Sequence, residues 1–445
     1  MFSKTTQTLG IALLLGGCGA VPQRDVMSIS PKTPAHWAAD NAISTKQATQ
    51  WLATFADPAL SQWVNVALVA NYDLKAAATR VEIARQQARI AGAGRLPQLG
   101  FSTDYQRGNL SNSSENTADA LFNFSWELDV WGRIKASQQA AQQDAEAASA
   151  DFYGARLSLA ARTAQSYFDL LEANLQVEVS EQSIKDRRII VELVRGRFQR
   201  GLTGGLDVRL VLTDLENAKA QLASAQNQVQ LITRRLEVLL SQYPGGNLKH
   251  TADLPNPPPM ISAGLPSELL TRRPDVIAAF ERLKATDSRL ASAKKALLPR
   301  ITLTANGGAD LLDPRAAAWN LAMGLVQPIF TGGRLTAEIR LNQARSQEAL
   351  HNYQSVTLNA FREVEQALAA EQWLYQQEQA LKQAVEQTQA SRELAVYSYR
   401  QGLIQILTLL DSYRSTLTAQ SQYLAVRRQL LNNRIDLYLA LGGGI

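Results

Sequence analysis

Between Leu121 and Ala136 the chain reads LFNFSWELDVWGRIKA, and its polarity changes period part way along. Phe122, Phe124, Trp126, Leu128 and Val130 occupy one side of a two-residue alternation, and Asn123, Ser125, Glu127 and Asp129 occupy the other. Such alternation predicts a strand at about 121–131 with one apolar and one carboxylate-bearing face. From Gly132-Arg133 the period becomes helical and stays so, in a run rich in Ala, Gln and Ser that reaches Arg200.

Three more segments alternate in the same way. Leu99, Phe101, Thr103 and Tyr105 define a strand at about 99–107; Ile301, Leu303 and Ala305 define one at about 301–307; Trp319, Leu321, Met323 and Leu325 define one at about 318–328. The polar, turn-rich stretches Gly108–Asp119 and Gly307–Ala317 read as loops between partners. These strands approach or reach the roughly 9 to 11 residues that a tilted membrane strand needs. Phe101, Tyr105, Phe122, Phe124, Trp126, Leu128, Trp319 and Leu321 then form a lipid-facing surface, with the polar face toward a lumen. Four strands close no barrel, and hydrocarbon does not tolerate an open sheet edge, so the barrel must be shared between chains. The soluble alternative, two hairpins on a coiled-coil rod, leaves Phe122, Phe124 and Trp126 exposed on a two-stranded ribbon.

The pattern also repeats. Arg197-Phe198-Gln199-Arg200-Gly201-Leu202 returns as Ser398-Tyr399-Arg400-Gln401-Gly402-Leu403, and Gly132-Arg133 as Gly333-Arg334, both 201 residues on; Leu96-Pro97 returns as Leu298-Pro299 at 202. The chain is thus read as two copies of one unit, over 59–242 and 267–445, joined by an extended linker at 243–266 that holds six of the fifteen prolines. Each copy is predicted to run helix, strand, strand, very long helix, tight turn, helix. Helices are expected over Leu60–Arg95, from Pro274 to just before Pro299, and over about 133–200 and 334–401. At 1.5 Å per residue the long pair would each span roughly 100 Å. The returning helix places Val208, Val211, Leu215, Ala218, Leu222, Ala225, Val229, Ile232, Leu236 and Leu239 at alternating spacings of three and four, a coiled-coil seam. The turns at 201–206 and 402–406 end each long helix on glycine, and Asp207 is placed to cap the helix that follows.

Composition narrows the chemistry. Aromatic residues make up 7% of 445, while Ala, Gln and Leu dominate, which favours long helices over a compact α/β core. The net charge of +5 is scattered among acids and bases, with no basic stripe for nucleic acid. His36, His250 and His351 stand apart in sequence, and no HExxH, GxSxG or phosphate-loop pattern occurs, so neither an enzyme nor a metal site is expected. Cys18, the single cysteine, closes LLLGGC behind Lys4 and an apolar run, which has the form of a signal peptide over 1–17 ending in a lipobox. The alternative is a buried free thiol. The lipobox reading puts N-acyl and S-diacylglycerol groups on Cys18, needs no cofactor, and makes 18–58 a lipid-anchored extended segment. No other apolar run approaches the ~20 residues of a membrane helix.

WLATFADPAL (Trp51–Leu60), WELDVWGR (Trp126–Arg133), LLTRRPDVIAA (Leu269–Ala279) and QPIFTGGR (Gln327–Arg334) together resemble the signatures of the outer-membrane factor family, the TolC-type exit ducts, in its NodT-type lipoprotein branch. The resemblance runs in order along essentially the whole mature chain. It implies a mainly α fold with a membrane β-barrel: a homotrimer whose twelve-stranded barrel, four strands per chain, lies in the outer membrane of a Gram-negative bacterium and continues as a coiled-coil α-barrel in the periplasm. The linker would then lie in an equatorial region. It further implies the exit duct of a tripartite drug-efflux system, joined through a periplasmic adaptor to an inner-membrane transporter, expected to be of the RND type. A polypeptide secretion duct shares the fold, and a lipid-anchored periplasmic spacer is the non-transport alternative. The resemblance assigns adaptor-docking tips to Gly201, Leu202, Asp207, Val208, Gly402 and Leu403. LTLLDSYR resembles the branch's gate, with Leu407 and Asp411 constricting the pore; Arg414 is placed to pair with Asp411 in its own chain or a neighbour's. Phe280 stands where the family usually has Glu, and Glu281 is expected to take over that contact.

Overall fold

The structure is a computed structural model that describes residues 21–39, 51–110, 113–248, 252–259, 263–313 and 317–443. Cys18, the signal segment and His250 lie outside the described residues. In chain order the elements are α1 (Val26–Ile29), α2 (Trp51–Thr54), α3 (Pro58–Ala70), α4 (Tyr72–Ala93), β1 (Gln98–Leu110), β2 (Ser113–Leu128), α5 (Arg133–Gln199), α6 (Gly205–Leu239), α7 (Pro266–Arg272), α8 (Pro274–Lys295), β3 (Arg300–Asp310), β4 (Ala318–Val326), α9 (Arg334–Arg400) and α10 (Ile406–Ala440). The chain divides into two compact units. Among the described residues, the strand unit takes 21–32 and those of Ala77–Phe152 and Pro274–Leu358; the helical unit takes those from Thr33 to Ala76, from Tyr153 to Arg273 and from Asn359 onward.

In the strand unit the four strands form one antiparallel sheet in the order β1-β2-β3-β4. Register carries the alternation straight across it. Phe101 lies opposite Phe122, Phe122 opposite Gly307 and Gly307 opposite Trp319, while the next row runs Leu99, Phe124, Ala305, Leu321. On this apolar face the Phe101 and Phe122 rings are 5.1 Å apart. On the other face Asn123 Nδ2 donates to Ser102 Oγ at 2.8 Å. Phe101, Tyr105, Phe122, Trp319 and Leu321 are exposed, whereas Phe124, Trp126 and Leu128 are half-buried.

Strand limits differ from the alternation. The stretch expected as a loop at 108–119 is largely ladder, since pairing continues from Asp104 opposite Asp119 to Leu110 opposite Ser113. A hairpin satisfies its backbone groups whatever the side chains, so polarity alone does not end it. β3 likewise runs on to Asp310, and β4 stops at Val326, ahead of Pro328. β2 stops at Leu128 rather than 131, because Asp129 leaves the strand: its carboxylate accepts the N–H groups of Ile134 (2.9 Å) and Lys135 (2.7 Å) and caps α5. Glu127, on the polar face opposite Thr302, meets Arg133 at 2.7 Å. Trp131 Nε1 donates to the Pro299 carbonyl at 2.7 Å. Residues 21–32 also belong to this unit. Arg24 reaches Asp287, which is 1% exposed, with contacts of 2.5 and 3.0 Å, and Ser30 shares a hydrogen bond with Tyr353 at 2.7 Å.

The helical unit takes the larger part of α5 and α9 and the whole of α6 and α10. α5 and α9 are 67 residues each and α6 and α10 are 35 each, with each pair's starts 201 residues apart. None of the ten seam residues of α6 is exposed, and Val211, Leu215, Ala218, Ile232 and Leu236 are buried. The single helix expected over 60–95 is two. Asn71 breaks it: its side chain accepts the Leu74 N–H at 3.0 Å and donates to the Leu239 carbonyl at 3.0 Å, the local bonding by which Asn competes with a helix. In WLATFADPAL, Asp57 caps α3 through the N–H groups of Ala59 and Leu60 and receives the Tyr167 hydroxyl at 2.7 Å. Burial, then this bond, pushes the Tyr167 phenol up. Trp51 is buried and stacks on Tyr438 at 5.8 Å.

The proline-rich linker is held by side chains of the helices beside it. Glu237, 2% exposed, accepts the N–H groups of Gly246 and Asn247 at 2.7 Å and of Leu248 at 3.2 Å. Arg427 donates to the Leu254 carbonyl at 2.7 Å, and Arg434 to that of Pro259 at 2.5 Å. Burial alone would push the Glu237 carboxyl up, but the three N–H donors and nearby Arg234 outweigh it and hold the group below its ordinary value. A depressed carboxyl adds stability above the unfolded value of about 4.3 and loses it as pH falls through the folded one. Protection factors of the Gly246–Leu248 amides are therefore expected to fall on acidification below about pH 4. Glu237→Gln should show that lower protection already at pH 7, by roughly 1–3 kcal/mol, without the acid step. Wild-type protection in Glu237→Gln would refute the anchor.

Candidate functional site

The turns that end α5 and α9 have one geometry. Gly201, at φ 71°, lets Leu202 N–H reach the Arg197 carbonyl and Gly201 N–H reach that of Phe198, both at 2.9 Å. Gly402, at φ 75°, repeats this with Leu403 N–H on Ser398 (2.9 Å) and its own N–H on Tyr399 (3.0 Å). These are Schellman closures, whose left-handed residue is cheap only for glycine. The turns are shorter than predicted, because α6 begins at Gly205 and α10 at Ile406. Leu202, Leu206, Leu403 and Leu407 are exposed around them, and Val208 is half-buried. Behind lies an apolar cluster that includes Val194, Val211, Leu215, Tyr399, Ile406 and Leu409.

Asp207 does not cap α6. The N-cap is Gly204, which offers no side chain, and Asp207 sits in the first turn, where it accepts the Thr203 hydroxyl. A carboxylate there still faces the positive end of the helix dipole.

Arg414 also departs from expectation. Its guanidinium turns away from Asp411 and donates to Asp214 Oδ1 through Nε (3.0 Å) and Nη2 (2.8 Å). Asp214 Oδ2 accepts Arg187 Nε at 2.7 Å, and Arg187 also donates to Ser183. With two of its N–H groups on one oxygen, the Arg414 guanidinium favours this fixed, buried carboxylate over the solvated one a turn back on its own helix. One carboxylate, 3% exposed, thus ties α5, α6 and α10 together, while Asp411 stays exposed on the same helix side as Leu407. Nearby, Arg392 meets Asp186 at 2.9 Å and lies 5.5 Å over the Tyr413 ring. Burial, with Asp186 adding to it, pushes the Tyr413 phenol up. Arg197 lies 5.0 Å over the Tyr399 ring and donates to the Tyr399 and Arg400 carbonyls, tying the end of α5 to the end of α9.

Sequence reasoning missed Arg187, Asp214, Asp186 and Arg392. The available signal was Asp214, an acid beside Leu215 on an otherwise apolar stripe. Phe280, in the strand unit, packs on Tyr353 at 5.8 Å with Lys284 5.1 Å over its ring, and Glu281 pairs with Lys284 at 2.6 Å. Among the described residues no group of His, Cys, Asp and Glu is placed to hold a metal ion, and no helix is long and apolar enough to cross a membrane.

The profile of the family described as outer membrane efflux protein matches residues 63–242 and 265–443. The pyoverdine export outer membrane protein OpmQ of Pseudomonas putida is 34% identical, over 98% of this chain and 96% of its own. The probable outer membrane lipoprotein SilC of Salmonella typhimurium is 28% identical, over 100% of this chain and 99% of its own. The solved outer-membrane channel OprN superposes with a TM-score of 0.89 at 26% identity, covering 96% of this chain and 99% of OprN.

Proposed function

The chain belongs to the outer membrane efflux protein family, and from that premise we propose that three copies close one twelve-stranded barrel and work with a periplasmic adaptor and an inner-membrane transporter, of the RND type, as the exit duct of a tripartite pump. The protein is an outer-membrane efflux channel. The observation that carries the assembly is the sheet itself: it has an exposed apolar face, a polar opposite face, and two outer strands, β1 and β4, with no further strand beside them among the described residues. In lipid such edges must be paired, and copies of the chain supply the missing neighbours. Passage through the polar lumen is passive, and selection of cargo falls to the transporter.

Acylation of Cys18, in line with a relative described as a lipoprotein, adds an anchor without supplying the spanning structure. The Gly201–Leu202 and Gly402–Leu403 turns, with Asp207 and Val208, form the adaptor-docking rim. Leu407 and Asp411, exposed together, form the constriction, and Arg414 braces it through Asp214 rather than by neutralising Asp411.

Extraction and conductance test this reading. Purified Cys18→Ser protein is expected to need detergent for solubility, to migrate unheated as an SDS-resistant trimer, and to give discrete conductance steps in planar bilayers. Release as a monomer soluble without detergent would leave a periplasmic spacer as the better description.

A further inference from the structure

We propose that the seam between copies pairs β4 of one chain with β1 of the next in a single register, with Leu325 opposite the partner's Phe101 and Leu321 opposite the partner's Tyr105. This rests on the closed-barrel reading, though not on the number of copies in the barrel.

Side chains directly opposite one another share a face. The outward residues of β4 (Trp319, Leu321, Met323, Leu325) must therefore oppose the outward residues of β1 (Leu99, Phe101, Thr103, Tyr105, Arg107), which removes every second register.

Closure then limits the tilt. A row running straight across the sheet passes through Gln98, Ser125, Thr304 and Ala322. It must land on the next β1 some residues beyond Gln98. In a rotationally symmetric barrel that displacement, divided by four strand spacings, is the tangent of the strand tilt whatever the copy number. With about 3.3 Å per residue and about 4.8 Å between strands, displacements of four and six residues give about 35° and 46°, which bracket the range of membrane barrels. Displacements of two and eight give about 19° and 54° and fall well outside it.

Strand ends choose between the two survivors. Along that row β1 starts at Gln98 itself, β2 ends three residues below it (Ser125 to Leu128), β3 starts four below (Thr304 to Arg300) and β4 ends four below (Ala322 to Val326). A fall of four residues over three strand steps extrapolates to just over five at the fourth, nearer six than four. The six-residue displacement sets Ala322 opposite the partner's Asp104 and Trp319 opposite the partner's Arg107. Arg107 is the one charge among the described outward side chains, and an indole face at the rim is a fitting neighbour for it. The four-residue displacement would put Trp319 opposite the partner's Tyr105 and carry Arg107 past the end of β4.

Cysteine pairs test the register in full-length protein oxidised in outer membranes. Directly opposed positions lie within disulfide reach, whereas positions two residues off do not. Leu325→Cys with Phe101→Cys is expected to cross-link copies at least about tenfold more than Met323→Cys with Phe101→Cys. The reverse preference, or no cross-link from either pair in chains that still form SDS-resistant oligomers, overturns the register and leaves the barrel standing. Loss of the oligomer is judged against the single-cysteine chains: if these too, like the unsubstituted protein, form none in membranes, the closed barrel itself is wrong.

Discussion

Asp214→Ala is expected to destabilise the helical unit by roughly 3–5 kcal/mol, seen as a lower denaturant midpoint for loss of helix in detergent-solubilised protein. The cost does not come from losing Arg414, whose side chain is 56% exposed and whose pairing is worth little. It comes from Arg187, which is 4% exposed and would keep only the Ser183 oxygens as acceptors. Two further substitutions separate these roles. Arg414→Ala should shift the midpoint by less than about 1 kcal/mol. Arg187→Met combined with Asp214→Leu should recover most of the loss, since removing a buried pair whole is far less costly than halving it. On the duct reading, Asp214→Ala should also raise single-channel conductance, because α5, α6 and α10 lose their common tie. An unchanged midpoint in Asp214→Ala would show that the triad holds nothing.

The second large effect is expected in the sheet. A Cβ at Gly308 would overlap the Ala120 carbonyl oxygen and crowd its carbon and the Leu121 side chain, both at 2.9 Å. Backbone of a paired strand cannot step aside as a side chain can, so the clash acts on the β2–β3 ladder itself. Gly308→Val should lower the membrane-inserted, SDS-resistant oligomer about tenfold or more, consistent with several kcal/mol of overpacking. The neighbouring Gly307 gives the control: a Cβ there meets only the Trp319 Cβ at 3.9 Å, so Gly307→Ala should assemble normally. Equal yields from the two variants would contradict the close approach.

The sequence made the elements legible wherever a period was sustained. The α6 seam and the equal long helices follow from periodicity and repetition, and Phe122 to Leu128 showed its strand by alternation. Three features were hidden, each for a physical reason. The ends of β1 and β2 are set by backbone pairing, to which polar side chains are indifferent. Asn71 breaks a helix through a bond to Leu239, a residue far along the chain. At the tips, the backbone was readable from Gly201 and Gly402, but Arg187 and Arg414 meet at Asp214 only through folding, and a local spacing rule chose Asp411 for Arg414 instead. Asp207 shows the same bias: a good capping residue was placed at the cap, whereas the glycines before it let the helix start earlier.

The two halves agree in backbone and disagree in charge. Their long helices match in length and their Schellman turns in geometry, yet at the spacing of 201 the residues equivalent to Arg187, Asp214 and Arg414 are Thr388, Ser415 and Thr213. The two halves therefore share a main-chain trace without sharing these charges. In an assembly of three copies the rim would be sixfold to anything that senses only shape and threefold to anything that senses charge. A docking element that follows the turns could sit six to a ring, and one that needs a cation beside an acid could sit only three. Counting bound adaptors per ring would show which likeness they read.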